Sequence, residues 1–90
     1  MPTVWIPSLM RNLTGGVEQV EIEATTIRQI VTQLDEQYPG FKKRLCDEEE
    51  DHIRPNIAVM IDGRTARMGL KEQVGEDSEV HFLPALSGGR

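Results

Sequence analysis

Residues 25–40 read TTIRQIVTQLDEQYPG, and the fold turns on this stretch. Starting from Ile27, the apolar residues Ile30, Val31, Leu34 and Tyr38 fall at i+3, i+4, i+7 and i+11. That spacing draws one stripe along a helix of 3.6 residues per turn. Thr25 or Thr26 supplies a hydroxyl to cap the orphan N–H groups of the first turn. Pro39 disfavours helical backbone at Tyr38, and Gly40 ends what is left. One amphipathic helix must bury its stripe against another element, so the flanks decide the architecture.

Both flanks alternate with a period of two. Upstream, VEQVEIEA (17–24) turns Val20 and Ile22 inward and Glu21 and Glu23 outward, as in a half-exposed strand. TVWI (3–6) is a shorter strand hairpinned to it, with Val4 and Ile6 opposite Thr3 and Trp5. SLMRNLTGG (8–16) is expected to be the connecting loop, closed by Gly15 and Gly16. Downstream, FKKRLCDEEEDHIRP (41–55) reads as one more helical turn and a polar loop. NIAVMIDGR (56–64) is a strand ended by an Asp62–Gly63 turn. TARMGLKEQVGEDSE (65–79) is expected to be irregular, anchored by Leu70 and Val74. EVHFLPAL (79–86) is the last strand, with Val80 and Phe82 opposite His81 and Leu83, and Pro84 ends its pairing. The order strand, strand, helix, strand, strand predicts an α+β fold of the β-grasp, ubiquitin-like kind. Its mixed sheet of four to five strands carries one main helix on one face. Residues 1–84 form that domain and 85–90 a C-terminal Gly-Gly tail.

Composition narrows the function. Ninety residues make one small domain, which leaves little room for a deep catalytic pocket. Fifteen acidic residues against ten basic ones give a net charge of −5, the wrong sign for a phosphate-driven nucleic-acid interface. No apolar run approaches a membrane span, and the N-terminal residues lack the charged start of a signal peptide. The lone Cys46 cannot form an internal disulfide, so a reducing cytoplasm is the expected setting. No nucleophile–base–acid set is present, and the chain does not read as an enzyme.

IPSLMRNLTGG (6–16), the single central helix and DSEVHFLPALSGG (77–89) together resemble the MoaD/ThiS family of ubiquitin-like sulfur carriers, over nearly the whole chain. Its IPSLMRNLTGG and PALSGG segments look closest to carriers that serve a pyridoxal-phosphate-dependent cysteine synthase. The resemblance implies that the carboxylate of Gly89, on the bare Gly88–Gly89 tether, is adenylated by a ubiquitin-activating-type enzyme. That partner uses ATP, and the acyl adenylate then becomes a thiocarboxylate, a sulfur donor in cysteine, thiamin or molybdopterin biosynthesis. The carrier itself binds no cofactor and no metal. Arg90 departs from the mature pattern, because its carboxylate stands where that of Gly89 is needed. It is either removed by a peptidase, a metallopeptidase among the candidates, or a cloning remnant. The alternatives are a modifier conjugated to lysines through Gly89, a non-catalytic subunit of a molybdopterin-synthase-type complex, and a plain interaction module.

Other residues admit plainer readings. Cys46 could carry sulfur but reads as a small core thiol. His52 beside the acidic run could suggest a metal, but its spacing fits no ligand set. His81, opposite Val80 and Phe82, reads as an exposed surface histidine. If the first and last strands are neighbours, the sheet face away from the helix gathers Trp5, Ala58, Met60 and Leu83. Of these Trp5, Met60 and Leu83, with His81 and Leu86, form an expected partner-binding surface of five residues. The competing expectation is a second small core, covered by the segment around residues 65–75.

Overall fold

The computed structural model describes residues 1–47, 49 and 51–84. Five strands form one sheet in the spatial order β2-β1-β5-β3-β4. They are β1 (Thr3–Trp5), β2 (Gln19–Glu21), β3 (Ile57–Ile61), β4 (Arg64–Thr65) and β5 (Glu79–Pro84). β1 pairs antiparallel with β2 and parallel with β5, while β5 pairs antiparallel with β3. The first and last strands are therefore neighbours at the centre of a mixed sheet. This is the β-grasp architecture expected from the order of elements.

Helix α1 (Ile27–Gln37) starts at Thr26, whose hydroxyl accepts the N–H of Gln29 at 3.2 Å. Its buried stripe is Ile27, Ile30, Val31 and Leu34. These residues share one core with Val4, Ile6, Val59, Val80 and Phe82 of the sheet. Full burial of each large aliphatic or aromatic side chain is worth about 1.5–3 kcal/mol, so this one contact layer holds the helix to the sheet. Gly40 takes a left-handed backbone (φ 114°) and opens a second short helix, α2 (Phe41–Leu45), which buries Phe41 and Leu45. The side chain of Asp35 ties the two helices together, accepting the N–H groups of Gly40 (3.1 Å) and Lys42 (3.0 Å).

Two segments differ from their sequence reading. Residues 8–13, expected as loop, form a 3-10 helix, and Met10 is buried within it. The N–H of Met10 bonds the carbonyl of Pro7 at 2.8 Å, and Arg11 Nε bonds the carbonyl of Ile6 at 3.2 Å. A 3-10 turn has a repeat of three, too short to leave a readable periodicity. Residues 65–79, expected to be irregular, begin in β4 (Arg64–Thr65) and contain a 3-10 turn at Gly69–Lys71. Asp62 and Gly63 both have positive φ (52° and 83°), the geometry of a tight hairpin turn. Leu70 and Val74 reach the core as expected. The N–H of Ile27 bonds the carbonyl of Glu72, and that of Val74 bonds the carbonyl of Thr25, each at 2.9 Å. These bonds clasp the segment over the start of α1.

Candidate functional site

Strand alternation sends Val80 and Phe82 into the core and leaves His81 and Leu83 on the face away from α1. Register then selects their neighbours. Trp5 of β1 lies beside His81, and across β3 Met60 stands opposite His81 and Ala58 opposite Leu83. The open face thus carries a row Trp5–His81–Met60, with Ala58 and Leu83 one step nearer the end of β5.

The Trp5 and His81 rings stack with centroids 5.3 Å apart and planes 7° from parallel. His81 is consequently half-buried, which corrects its reading as an exposed histidine. The parallel pairing of β1 and β5 places a tryptophan against it, and alternation alone cannot reveal that neighbour. Trp5 Nε1 is buried without a hydrogen-bond partner among the described residues. On the other side Thr65 Oγ1 donates to Met60 Sδ at 3.3 Å. Leu83 remains 44% exposed. A shallow groove runs between Met60, His81 and Leu83 and the turn residues Asp62 and Gly63, with Glu79 at its edge. Sequence reasoning missed that acidic rim, whose signal was the turn following directly on the apolar alternation of residues 57–61.

The segment that the competing reading placed over this face lies elsewhere. Leu70 and Val74 belong to the core that contains α1, so residues 65–75 close the helix side. Four of the five residues expected to bind a partner, Trp5, Met60, His81 and Leu83, therefore meet on one half-exposed surface. Leu86, Gly88, Gly89 and Arg90, with the rest of the 85–90 tail, lie outside the described residues. Their root is described, because β5 runs through Pro84 opposite Ile57.

The remaining candidates fall where their plainer readings put them. Cys46 is buried in the core at 1% exposure. His52 Nδ1 lies 3.2 Å from Asp47 Oδ2. Asp47 is held below the usual carboxylate range, first by the N–H of Asp51 and also by its bonds with His52. Among the described residues, no group of three or more His, Cys, Asp or Glu is arranged to hold a metal ion. Likewise, no described helix is long and apolar enough to cross a membrane.

Comparison with known proteins agrees with this fold. The sulfur carrier protein CysO of Mycobacterium tuberculosis is 31% identical over 90 residues, covering 97% of each chain. A chain in the crystal structure of the Amycolatopsis orientalis BexX/CysO complex superposes with a TM-score of 0.87 at 31% identity, over 99% of this chain and 100% of that one. The crystal structure of M. tuberculosis CysO superposes with a TM-score of 0.88 at 26% identity, over 96% and 100%. The profile of the ThiS family matches residues 4–89, from β1 through Gly89. The chain belongs to the ThiS family.

Proposed function

We propose that this chain is a sulfur carrier that works through the carboxylate of Gly89. The observation that carries the reading is its 31% identity, over nearly the full length of both chains, to the sulfur carrier CysO. The family match, which extends through Gly88 and Gly89, supports placing the reacting group there.

The chemistry asks little of the carrier. Cleavage after Gly89 removes Arg90 and frees the glycyl carboxylate. A carboxylate is a poor electrophile, so an adenylating partner of the ubiquitin-activating type joins it to AMP from ATP and releases pyrophosphate. A sulfur nucleophile then attacks the acyl carbon, AMP leaves, and the carboxylate becomes a thiocarboxylate. The thiocarboxylate sulfur next bonds to an activated carbon held on a synthase, for which a pyridoxal-phosphate-dependent cysteine synthase is the first choice. The carbon's leaving group departs, and hydrolysis of the acyl link then releases the sulfur on its new carbon and restores the Gly89 carboxylate. Each catalytic group in this sequence belongs to a partner. The carrier provides a docking face and a tether. Residues 85–89, if extended, reach about 17 Å beyond Pro84 at 3.3–3.6 Å per residue. Glycines at the tip pass a narrow channel because they have no Cβ. The apolar surface of Trp5, Met60, His81 and Leu83 spans β1, β3 and β5, and β5 leads into this tether. It can therefore hold the domain while the tail enters a site. The reducing cytoplasm, where thiols persist, is the compartment this chemistry suits.

The test uses two chains, one ending at Gly89 and one at Arg90, each incubated with the adenylating enzyme, ATP and sulfide. Intact mass should show one oxygen exchanged for sulfur on the first chain only. Equal exchange on both would reject the need for trimming. Lysine conjugates through Gly89 in cells, with no thiocarboxylate formed, would reject the carrier and favour a modifier.

A further inference from the structure

Half of the ten basic residues in this acidic chain gather at one end of the fold, and the topology ties that end to the root of the tail. Because β1 and β5 run parallel and Trp5 pairs with His81, the segment that leaves Trp5 runs toward the same end of the sheet as Leu83 and Pro84. That segment is the 3-10 helix of residues 8–13, which carries Arg11. Helix α2 abuts it: Arg44 Nη1 donates to the carbonyl of Leu9 at 3.3 Å. Arg54 Nε and Nη2 in turn donate to the carbonyl of Lys43 at 3.1 and 2.8 Å. The Arg54 carbonyl accepts the N–H of Ile57 at 3.0 Å, and Ile57 faces Pro84 across the sheet. Arg11, Lys42, Lys43, Arg44 and Arg54 thus form one continuous band beside the point where the chain leaves the domain.

Among the described residues Glu18, Asp35 and Glu36 share this end, with Asp47 just beyond α2. The carboxylate of Asp35 is already engaged by the N–H groups of Gly40 and Lys42. Most of the described acidic residues lie elsewhere. Glu21 and Glu79 both pair with Thr3 at the start of β1, and Asp62 bonds the backbone of Glu79. The molecule therefore has a cationic end at the tail and an anionic end away from it. Within the cationic band Leu9 is 82% exposed. An exposed leucine framed by spread charges is the layout of a protein interface, with an apolar anchor and a polar rim. It is not the cradle that a small anion would need, because the guanidinium groups are pinned to separate backbone carbonyls.

We infer that this band, with Leu9 at its middle, is a second docking surface. Its occupant is an acidic protein surface surrounding the channel that receives the tail. Charge of this sign would orient the carrier tail-first before contact, and steering of that kind acts mainly on the association rate. The anionic opposite end would be repelled by the same partner surface, which disfavours the reversed approach. The inference rests on the sulfur-carrier reading, since it needs a protein that takes up the tail.

The test compares the wild-type chain with Lys43→Glu/Arg44→Glu, Leu9→Ser and a control pair, Arg64→Glu/Arg67→Glu, at the other end. Association is followed by stopped-flow with the adenylating enzyme and with the pyridoxal-phosphate-dependent cysteine synthase of the same genome. Circular dichroism checks each fold. The expected result is about tenfold slower association for the charge-reversed pair at low salt, with the difference closing at high salt. Leu9→Ser should speed dissociation with little effect on association, and the control pair should leave both rates unchanged or make association slightly faster. Wild-type binding that is matched by Lys43→Glu/Arg44→Glu would overturn the inference and leave the carrier reading intact. Failure of the wild-type chain to bind either enzyme would overturn both.

Discussion

Replacing Leu83 by glutamate tests whether the open sheet face is an interface. Leu83 sits on the central strand with its side chain turned away from the core and 44% exposed. Full burial of a leucine is worth about 1.5–3 kcal/mol, so a partner that covers the exposed part gains roughly 1 kcal/mol there. Leu83→Ala should therefore weaken binding to the adenylating enzyme about fivefold. Leu83→Glu adds the cost of desolvating a charge, and the loss should exceed about 1.4 kcal/mol, or tenfold in Kd. The folded domain should survive, because the lost packing is only that against Ala58 and the neighbouring open-face side chains. Trp5→Glu is a poorer probe than its position first suggests. Trp5 stacks on His81 and buries its Nε1, so its loss would disturb the sheet itself. The assay pairs titration calorimetry against the adenylating enzyme with a thermal melt of each variant. An unchanged Kd for Leu83→Glu would show that the partner uses another face. A collapsed melt would show that Leu83 belongs to a core.

Two further outcomes concern stability. Asp35 is held below the usual carboxylate range, chiefly by the N–H of Lys42, with the N–H of Gly40 and the charges of Lys42 and Lys43 adding to it against a desolvation penalty. A depressed carboxyl stabilises the fold at pH values above its unfolded value of about 3.9, and the contribution disappears as pH falls through the folded value. Asp35→Ala should therefore cost about 1 kcal/mol near pH 7, as for a lost capping side chain. In melts run from pH 7 down to pH 2 the gap from wild type should narrow, and a constant gap would contradict the assignment. Gly40→Ala places a Cβ 3.2 Å from Leu13 Cδ2 on a backbone at φ 114°. It should cost about 1–2 kcal/mol. Gly15→Ala, at φ 66° with open space around it, should cost less when the two are compared by urea denaturation.

Much of the fold could be read directly because its signals are local. The stripe from Ile27 to Leu34 and the cap at Thr26 need only a few consecutive residues, and they appear in the structure where the periodicity places them. The alternation of residues 57–61 and 79–83 likewise assigns faces without reference to any partner strand. The 3-10 helix at 8–13 and the two-residue β4 escaped detection, being too short to show a period. The role proposed for Gly88 and Gly89 came from the resemblance to the MoaD/ThiS carriers, and both residues lie outside the described ones.

What required tertiary structure was adjacency between distant segments. Parallel pairing of β1 with β5 brings together residues from opposite ends of the chain, and it alone decides that His81 stacks on Trp5. Alternation states which face a residue occupies but not which residue stands beside it. The segment at 65–75 could have covered either side of the sheet on its apolar content. Its backbone bonds to Thr25 and Ile27 decide for the helix side and leave the other face open. The sequence alone determined net charge, but not its polarity along the molecule. Arg11, Lys42, Lys43, Arg44 and Arg54 are scattered over residues 11–54, and only the packing of α2 against the 3-10 helix and of Arg54 against Lys43 brings them to one end of the fold.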